Sequence, residues 1–225
     1  ITNPAWRINI LVALLPLVAE TERTALLQEA LEATQKVWNA SVRVDSLITL
    51  APYLPEPMLP TALDIAQSLV DTDWRCRALI GLAPVLPQPL LRNALHMWKS
   101  WSGSWRSRVL AELAPRLTEL GEMDHAFDMV AHLPTEQQRA IALAGLAPYL
   151  SVHQIHTAMT IVQAFTHPQE QARTLVALAP YLTRKTHREA LELALALQDM
   201  QSKIMIVLAL MPHIPEQNHA ELINT

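Results

Sequence analysis

One short motif, Leu-Ala-Pro-x-Leu, recurs along the chain at a nearly constant interval and limits the possible folds more than any other feature. It begins at Leu50, Leu82, Leu113, Leu146 and Leu178, and weaker copies surround Pro16 and Pro212. The seven repeat prolines are separated by 36, 32, 31, 33, 32 and 32 residues. A fixed period of this length is the signature of a repeat architecture, in which each repeat is one supersecondary unit.

Each repeat carries two apolar stripes. Around the proline, apolar residues follow the helical i, i+3, i+4, i+7 pattern, as Ala78, Leu79, Leu82, Ala83 and Leu86 do around Pro84. About ten residues after it comes a second stripe, marked by a pair of an alanine and a larger apolar residue, at residues 30–31, 62–63, 94–95, 126–127, 158–159 and 190–191. The pattern predicts two helices per repeat, packed closely at the alanines.

A single helical hairpin cannot bury both stripes, so neighbouring repeats must stack to make a continuous core. We therefore predict an all-α fold, an α-solenoid of about seven stacked helical-hairpin repeats with a period of about 32 residues. It would form one domain over residues 1–225, and the ends of the sequence suggest a fragment of a longer chain. Proline lacks an N–H and its ring crowds the preceding turn, so the first helix of each repeat should end or kink there.

The composition excludes several functional classes. With 51% hydrophobic and 17% charged residues, the chain has the makeup of a folded domain. A net charge of −4 gives no general attraction to nucleic acid. Its apolar stretches are shorter than the roughly 18 residues that a membrane span needs. The single cysteine, Cys76, indicates a reducing compartment. We expect a cytoplasmic protein that binds neither membranes nor nucleic acids.

Motifs for catalysis are absent from the sequence. It has no Gly-rich phosphate loop, nucleophile elbow, His-Glu-x-x-His or zinc ribbon. His153 and His156 can share a helix face, but no third ligand stands nearby, and we interpret them as solvated. Cys76, between two arginines, is interpreted as a packed thiol. We predict no enzyme activity, no catalytic residue, no cofactor and no metal site.

Hairpins of this length resemble the tetratricopeptide (TPR) and HEAT repeats, and HEAT repeats also carry a proline in their first helix. The pattern Trp-Arg…Ala-Leu…Leu-Ala-Pro-x-Leu-Pro, clearest at residues 74–87, resembles repeat arrays that follow the NTPase module of bacterial STAND-type signalling ATPases. In that family the solenoid recognises a ligand or an invading protein, and the NTPase then oligomerises. The resemblance implies a protein partner and further domains in the same polypeptide.

Three functions agree with this pattern. Our leading hypothesis is a macromolecule-recognition solenoid that binds protein, as the sensor region of a larger bacterial signalling or defence protein. A free-standing scaffold or adaptor that holds two partners is the first alternative. The second is a repeat domain that selects substrates for an enzyme whose catalytic domain lies outside this chain.

A cation stands nine residues before most repeat prolines, at Arg7, Arg43, Arg75, Arg106, Arg139 and Lys203. Four of these have an acid eleven residues earlier, in the pairs Glu32–Arg43, Asp64–Arg75, Asp128–Arg139 and Glu192–Lys203. Where Gln171 replaces the cation, Thr160 replaces the acid. We predict a structural ion-pair ladder that links the second helix of one repeat to the first helix of the next. The alternative is a basic ladder that binds an acidic partner.

Tryptophans cluster between the third and fourth repeats, at Trp98, Trp101 and Trp105. Trp105 occupies the repeat position of Trp6 and Trp74, and we expect Trp105 in the core. Trp98 and Trp101 have no counterparts apart from an offset Trp38. Because exposed tryptophan commonly anchors interfaces, we predict that Trp98 and Trp101 bind the partner. Alternatively, they fill a gap where this linker differs in length.

Overall fold

A computed structural model describes residues 4–97 and 105–213, and every regular element in these ranges is a helix. The α-helices are α1 (Pro4–Leu14), α2 (Glu20–Gln35), α3 (Ala40–Leu50), α4 (Leu59–Gln67), α5 (Thr72–Leu82), α6 (Gln88–Met97), α7 (Trp105–Glu119), α8 (Met123–Ala131), α9 (Glu136–Leu146), α10 (Val152–Gln163), α11 (Pro168–Leu178), α12 (Arg184–Ala196) and α13 (Met200–Leu210). The all-α class is confirmed. Among these helices, none has the combined length and apolarity of a membrane span.

Odd-numbered helices are the first helices of the repeats, and the repeat proline ends most of them. In α3, α9 and α11 the last residue is the leucine of Leu-Ala-Pro, and the next three residues form a 3₁₀ turn. Leu54 closes one such turn by donating its N–H to the carbonyl of Ala51 at 3.3 Å. Proline has no N–H to continue the helix but fits the start of a new turn, so the helix ends as expected.

The fourth copy differs, because α7 continues for one turn past Pro115. It ends at Glu119, and Gly121, two residues later, has a left-handed φ of 70°. The N–H of Gly121 donates to the carbonyl of Thr118 at 3.1 Å, and that of Glu122 to Leu117 at 2.7 Å. This is the Schellman arrangement, which satisfies the last helix carbonyls and favours glycine because it has no Cβ.

Contacts divide the chain into two compact units, residues 1–105 and 106–225. In the first unit, α1, α3 and α5 pack in succession, and α2 packs on α4. Within the second unit, α9, α11 and α13 pack in succession, and α10 packs on α12. In each unit, therefore, first helices contact first helices and second helices contact second helices, which is the local arrangement of stacked hairpins.

Both predicted stripes lie in the core. The first leucine of each Leu-Ala-Pro motif and the alanine of each following pair are at most 2% exposed between residues 50 and 190. Cys76 is fully buried, as interpreted from the sequence. Burial raises the pKa of its thiol to about 12, which keeps the group protonated and unreactive at neutral pH.

The core position expected for Trp105 does not extend to Trp6 at the same repeat position, which is 68% exposed. Trp74 and Trp105 are half-buried.

Candidate functional site

In three repeats the recurring cation binds the protein's own backbone, whereas Arg7 donates through Nε to the carboxylate of Glu29 at 2.8 Å. Arg43 Nε donates to the carbonyl of Val37 at 2.8 Å. The same contact joins Arg75 Nη2 to Val70 at 2.9 Å and Arg139 Nη1 to Leu133 at 2.9 Å. All three carbonyls follow the end of a second helix, where carbonyls lack helical partners and carry partial negative charge. Each arginine therefore fixes the linker between two repeats, and we call this contact the carbonyl clamp.

Gln171 makes the same contact without a charge. Its Nε2 donates to the carbonyl of Phe165 at 2.8 Å and to that of Val162 at 3.3 Å. Phe165 occupies the repeat position of Val37 and Leu133, fifteen residues before the repeat proline. Since a neutral amide replaces a guanidinium here, the position requires a hydrogen-bond donor and not a positive charge.

The predicted ion-pair ladder is corrected on this point. For Arg43, Arg75 and Arg139 the acceptor is a main-chain carbonyl and not a carboxylate, and Glu32, Asp64 and Asp128 are exposed. An exposed ion pair contributes little, whereas a carbonyl removed from water must be paired. Each arginine is thus bonded to the linker after the second helix and not to an acid on that helix. Glu192–Lys203 stays a prediction, and Glu192 is exposed.

A second polar link joins successive linkers in the second unit through Glu136, the first residue of α9. Its carboxylate accepts the N–H of Thr166 at 2.9 Å and the N–H of His167 at 3.0 Å. Thr166 Oγ1 also donates to it at 3.0 Å, and His167 Nδ1 lies 2.8 Å away. These hydrogen bonds, first that of the Thr166 N–H, lower the pKa of Glu136 to about 2.

Glu136→Gln is expected to cost about 1 kcal/mol of stability at neutral pH, because an amide cannot accept all four contacts. The pKa of Glu136 is lower in the folded chain than its ordinary value of 4.5. The stability that the ionised Glu136 carboxylate gives the folded chain is therefore fully present above about pH 4.5, and it is lost as the pH falls towards 2. Urea denaturation between pH 2 and pH 7 should show the two proteins converging at the acid end. Glu192→Gln, at an exposed site, is the control. Parallel pH profiles for Glu136→Gln and wild type would contradict the assignment.

Two apolar side chains project from consecutive linkers of the first unit. Trp38 is 89% exposed and Val70 is 95% exposed. Each stands fourteen residues before its repeat proline, directly before the residue that caps the next first helix. We call these residues the linker tips. Neither side chain takes part in the core, so neither is explained by folding.

The backbone on both sides of each tip is held in place. Before Trp38, the carbonyl of Val37 accepts the Arg43 clamp. After it, Asn39 Oδ1 accepts the N–H of Val42 at 3.1 Å and caps α3. The carbonyl of Val70 itself accepts the clamp of Arg75. The tips are thus presented on an ordered backbone, which lowers the entropy that a partner must remove on binding.

A cleft with polar groups follows the second tip in the chain. Asp71, Asp73, Trp74 and Arg77 line part of a shallow cleft of about 380 Å³ that begins next to Val70 in the chain. Arg77 lies 5.6 Å from the centre of the Trp74 ring. Its Nη2 also donates to Asp45 of the neighbouring first helix at 2.9 Å. The cleft therefore combines an aromatic wall with two exposed carboxylates.

The predicted binding residues Trp98 and Trp101 lie outside the described residues and stay predictions. The offset between Trp38 and Trp101 disappears when both are numbered from the repeat proline, because Trp101 stands fourteen residues before Pro115, as Trp38 does before Pro52. Trp38 is therefore a true counterpart of Trp101. Sequence analysis missed Val70, and an apolar residue at this position in successive linkers was the signal that could have found it.

Other sequence candidates do not form a site. His153 is exposed and His156 is half-exposed on α10. In residues 4–97 and 105–213, no three side chains of the metal-binding types come together. A comparison with known proteins found no matching family model, no similar curated protein and no similar solved structure. The linker tips are thus the strongest candidate for a functional surface.

Proposed function

We propose that this chain is a protein-recognition module, an α-solenoid of about seven repeats that binds its partner through the linker tips. The observation that carries the proposal is the nearly complete exposure of Trp38 and Val70 at one repeat position. Their spacing of 32 residues matches the repeat period. The linkers that carry the two tips lead into α3 and α5, which pack on each other.

Burial energetics support a binding role for Trp38. A tryptophan buries about 150–250 Å² in an interface, which contributes about 4–6 kcal/mol at about 25 cal/mol per Å² before the entropic cost of association. Tryptophan is also enriched among residues that dominate binding energy. In the free chain Trp38 gains almost none of this stabilisation, since it is 89% exposed.

The surroundings of Val70 indicate what the partner presents. The carboxylates of Asp71 and Asp73 are exposed beside it. Complementary charge gives an interface specificity and a fast association rate. The partner surface should therefore offer an apolar side chain flanked by basic ones.

Trp38→Ala is expected to weaken partner binding by about thirtyfold or more, the effect of removing a dominant interface residue of about 2 kcal/mol. The measurement is quantitative capture of the partner from the cells that express the chain, with immobilised wild type and variant compared at several concentrations. Thermal unfolding should not change, because the side chain is outside the core.

The matched control is Val152→Ala, an apolar residue 58% exposed at the start of α10 in the second unit. It should retain wild-type capture. Equal capture by wild type and Trp38→Ala would remove the linker tips from the proposed function.

The finer form of the proposal is a sensor region of a larger bacterial signalling or defence protein of the STAND type. It is supported by the repeat pattern at residues 74–87 alone. The test is the natural reading frame around this sequence, in which a nucleotide-binding motif upstream is expected. A frame that encodes no such motif would leave the adaptor function as the better account.

A further inference from the structure

Indole rings and carboxylates meet in the cleft that follows the second linker tip. The cleft has a volume of about 380 Å³, and its lining residues are Asp71, Asp73, Trp74, Arg77 and Trp105. Both tryptophans are half-buried, whereas the aspartates and the arginine are exposed. All of these residues belong to the first compact unit. Because small-molecule pockets span about 300–1,000 Å³, a cleft of this size has room for a single long side chain.

The two aspartates of the cleft have no cationic partner among the described residues. Arg75 Nη2 donates to a main-chain carbonyl at 2.9 Å, and Arg77 Nη2 donates to Asp45 at 2.9 Å. The carboxylate of Asp71 accepts the backbone N–H of Asp73 at 3.0 Å, and in the described part of the chain neither carboxylate accepts a hydrogen bond from a side chain. The nearby arginines are thus bonded elsewhere, and the cleft keeps two negative charges.

The chain itself shows how an arginine binds in such surroundings. The guanidinium of Arg77 lies 5.6 Å from the centre of the Trp74 ring while it donates to the carboxylate of Asp45. A guanidinium is planar and weakly hydrated, so it can lie on an indole ring and donate to a carboxylate at the same time. An ammonium is a compact and strongly hydrated charge, which suits this pair of contacts less well. The cleft contains the same two kinds of group, indole rings and carboxylates.

We infer that the cleft binds an arginine side chain of the protein partner, which lies against the indole rings and donates to the carboxylates of Asp71 and Asp73. The inference rests on the proposed function, because the cleft begins one residue after the linker tip Val70 and lies within reach of a partner that covers this tip. Arginine is enriched among residues that dominate binding energy, and opposite charges across an interface add specificity. The partner therefore presents an apolar side chain to the tip and an arginine beside it.

Nuclear magnetic resonance of the indole N–H of Trp74 tests the arginine site, with N-acetyl-arginine methylamide as the probe. The signal is assigned by its loss in Trp74→Phe. Wild type should show a saturable shift of this signal as the probe is added. The citrulline analogue has the same shape without the charge and should bind at least about tenfold more weakly. The lysine analogue should bind at least about threefold more weakly, because it has no plane to lie on the ring.

Asp73→Asn should weaken binding of the arginine probe by about fivefold, the effect of losing one favourable exposed ion pair. Glu56→Gln, which removes an exposed acid elsewhere in the first unit, is the matched control and should titrate like wild type. Thermal unfolding checks that Asp73→Asn is folded, and the comparison of arginine with citrulline on wild type needs no variant. No saturable shift with arginine, equal affinity for citrulline, or wild-type affinity in Asp73→Asn would each overturn the arginine site.

Partner capture separates this inference from the proposed function. Asp73→Asn should weaken capture by about fivefold, and unchanged capture would overturn the assignment of an arginine to the partner. Trp38→Ala removes the other linker tip and should bind the arginine probe like wild type. Failure of the linker tips therefore appears as full capture by Trp38→Ala, whereas failure of the arginine site appears in the titration.

Discussion

Gly145→Ala is expected to lower the free energy of unfolding by about 2 kcal/mol or more, although alanine is the better helix former by about 1 kcal/mol. Gly145 lies in α9, where the chain passes very close to Ala111 of α7. A Cβ on Gly145 would stand 2.2 Å from the Cβ of Ala111 and 2.6 Å from its Cα. A backbone atom cannot move aside by rotating a side chain, so the two helices would have to separate.

Two other glycines supply controls for this prediction. Gly81 occupies the same repeat position, but the atoms nearest to a new Cβ there belong to the side chain of Ile48, at 2.3 and 2.7 Å. That side chain can rotate, so Gly81→Ala should cost less than Gly145→Ala. Gly121→Ala meets nothing within 4 Å and should cost about 1–2 kcal/mol, from its left-handed backbone alone.

Urea denaturation of the three variants measures the free energy of unfolding that each one loses and so tests the expected order of these losses. If Gly145→Ala were as stable as wild type or more stable, α7 and α9 would lie farther apart than the structure places them. An equal loss at Gly81 and Gly145 would show that the backbone contact is not the cause.

Arg139→Met should lower the free energy of unfolding by about 1–3 kcal/mol, because methionine fills similar space but leaves the carbonyl of Leu133 without its donor. Arg139→Gln should retain most of the stability, since Gln171 clamps the equivalent carbonyl at 2.8 Å. Arg188→Met on α12 removes an arginine from an exposed site and should change the stability by less than about 0.5 kcal/mol.

Asp128→Asn distinguishes between the two possible partners of Arg139, the carbonyl of Leu133 and the carboxylate of Asp128 that the sequence predicts. If Arg139 acts through the carbonyl of Leu133, neutralising Asp128 leaves the stability within about 0.5 kcal/mol of wild type. If Asp128→Asn costs as much as Arg139→Met, the carboxylate is the partner and the clamp is wrong. Chemical denaturation of these variants under one set of conditions gives the comparison.

The repeat chemistry explains how much of the fold was predictable. Leucines and alanines at helical spacing must be buried, so the two stripes and the all-α class follow from the sequence. Proline has no N–H to donate, and most first helices therefore end where the motif places it. Part of the candidate site was also visible, since Trp38 and Trp101 occupy one repeat position.

What the tertiary structure decided was the partner of each side chain. Spacing alone indicated the acid Asp128 as the partner of Arg139, and only the packed linker shows that the guanidinium donates to the carbonyl of Leu133. Likewise, nothing in a helix reveals whether a neighbour covers it: Trp6 is 68% exposed, although Trp105 at the same repeat position is half-buried. The sequence determines local conformation through the backbone and the apolar period, whereas acceptors and exposure depend on atoms that only folding brings together.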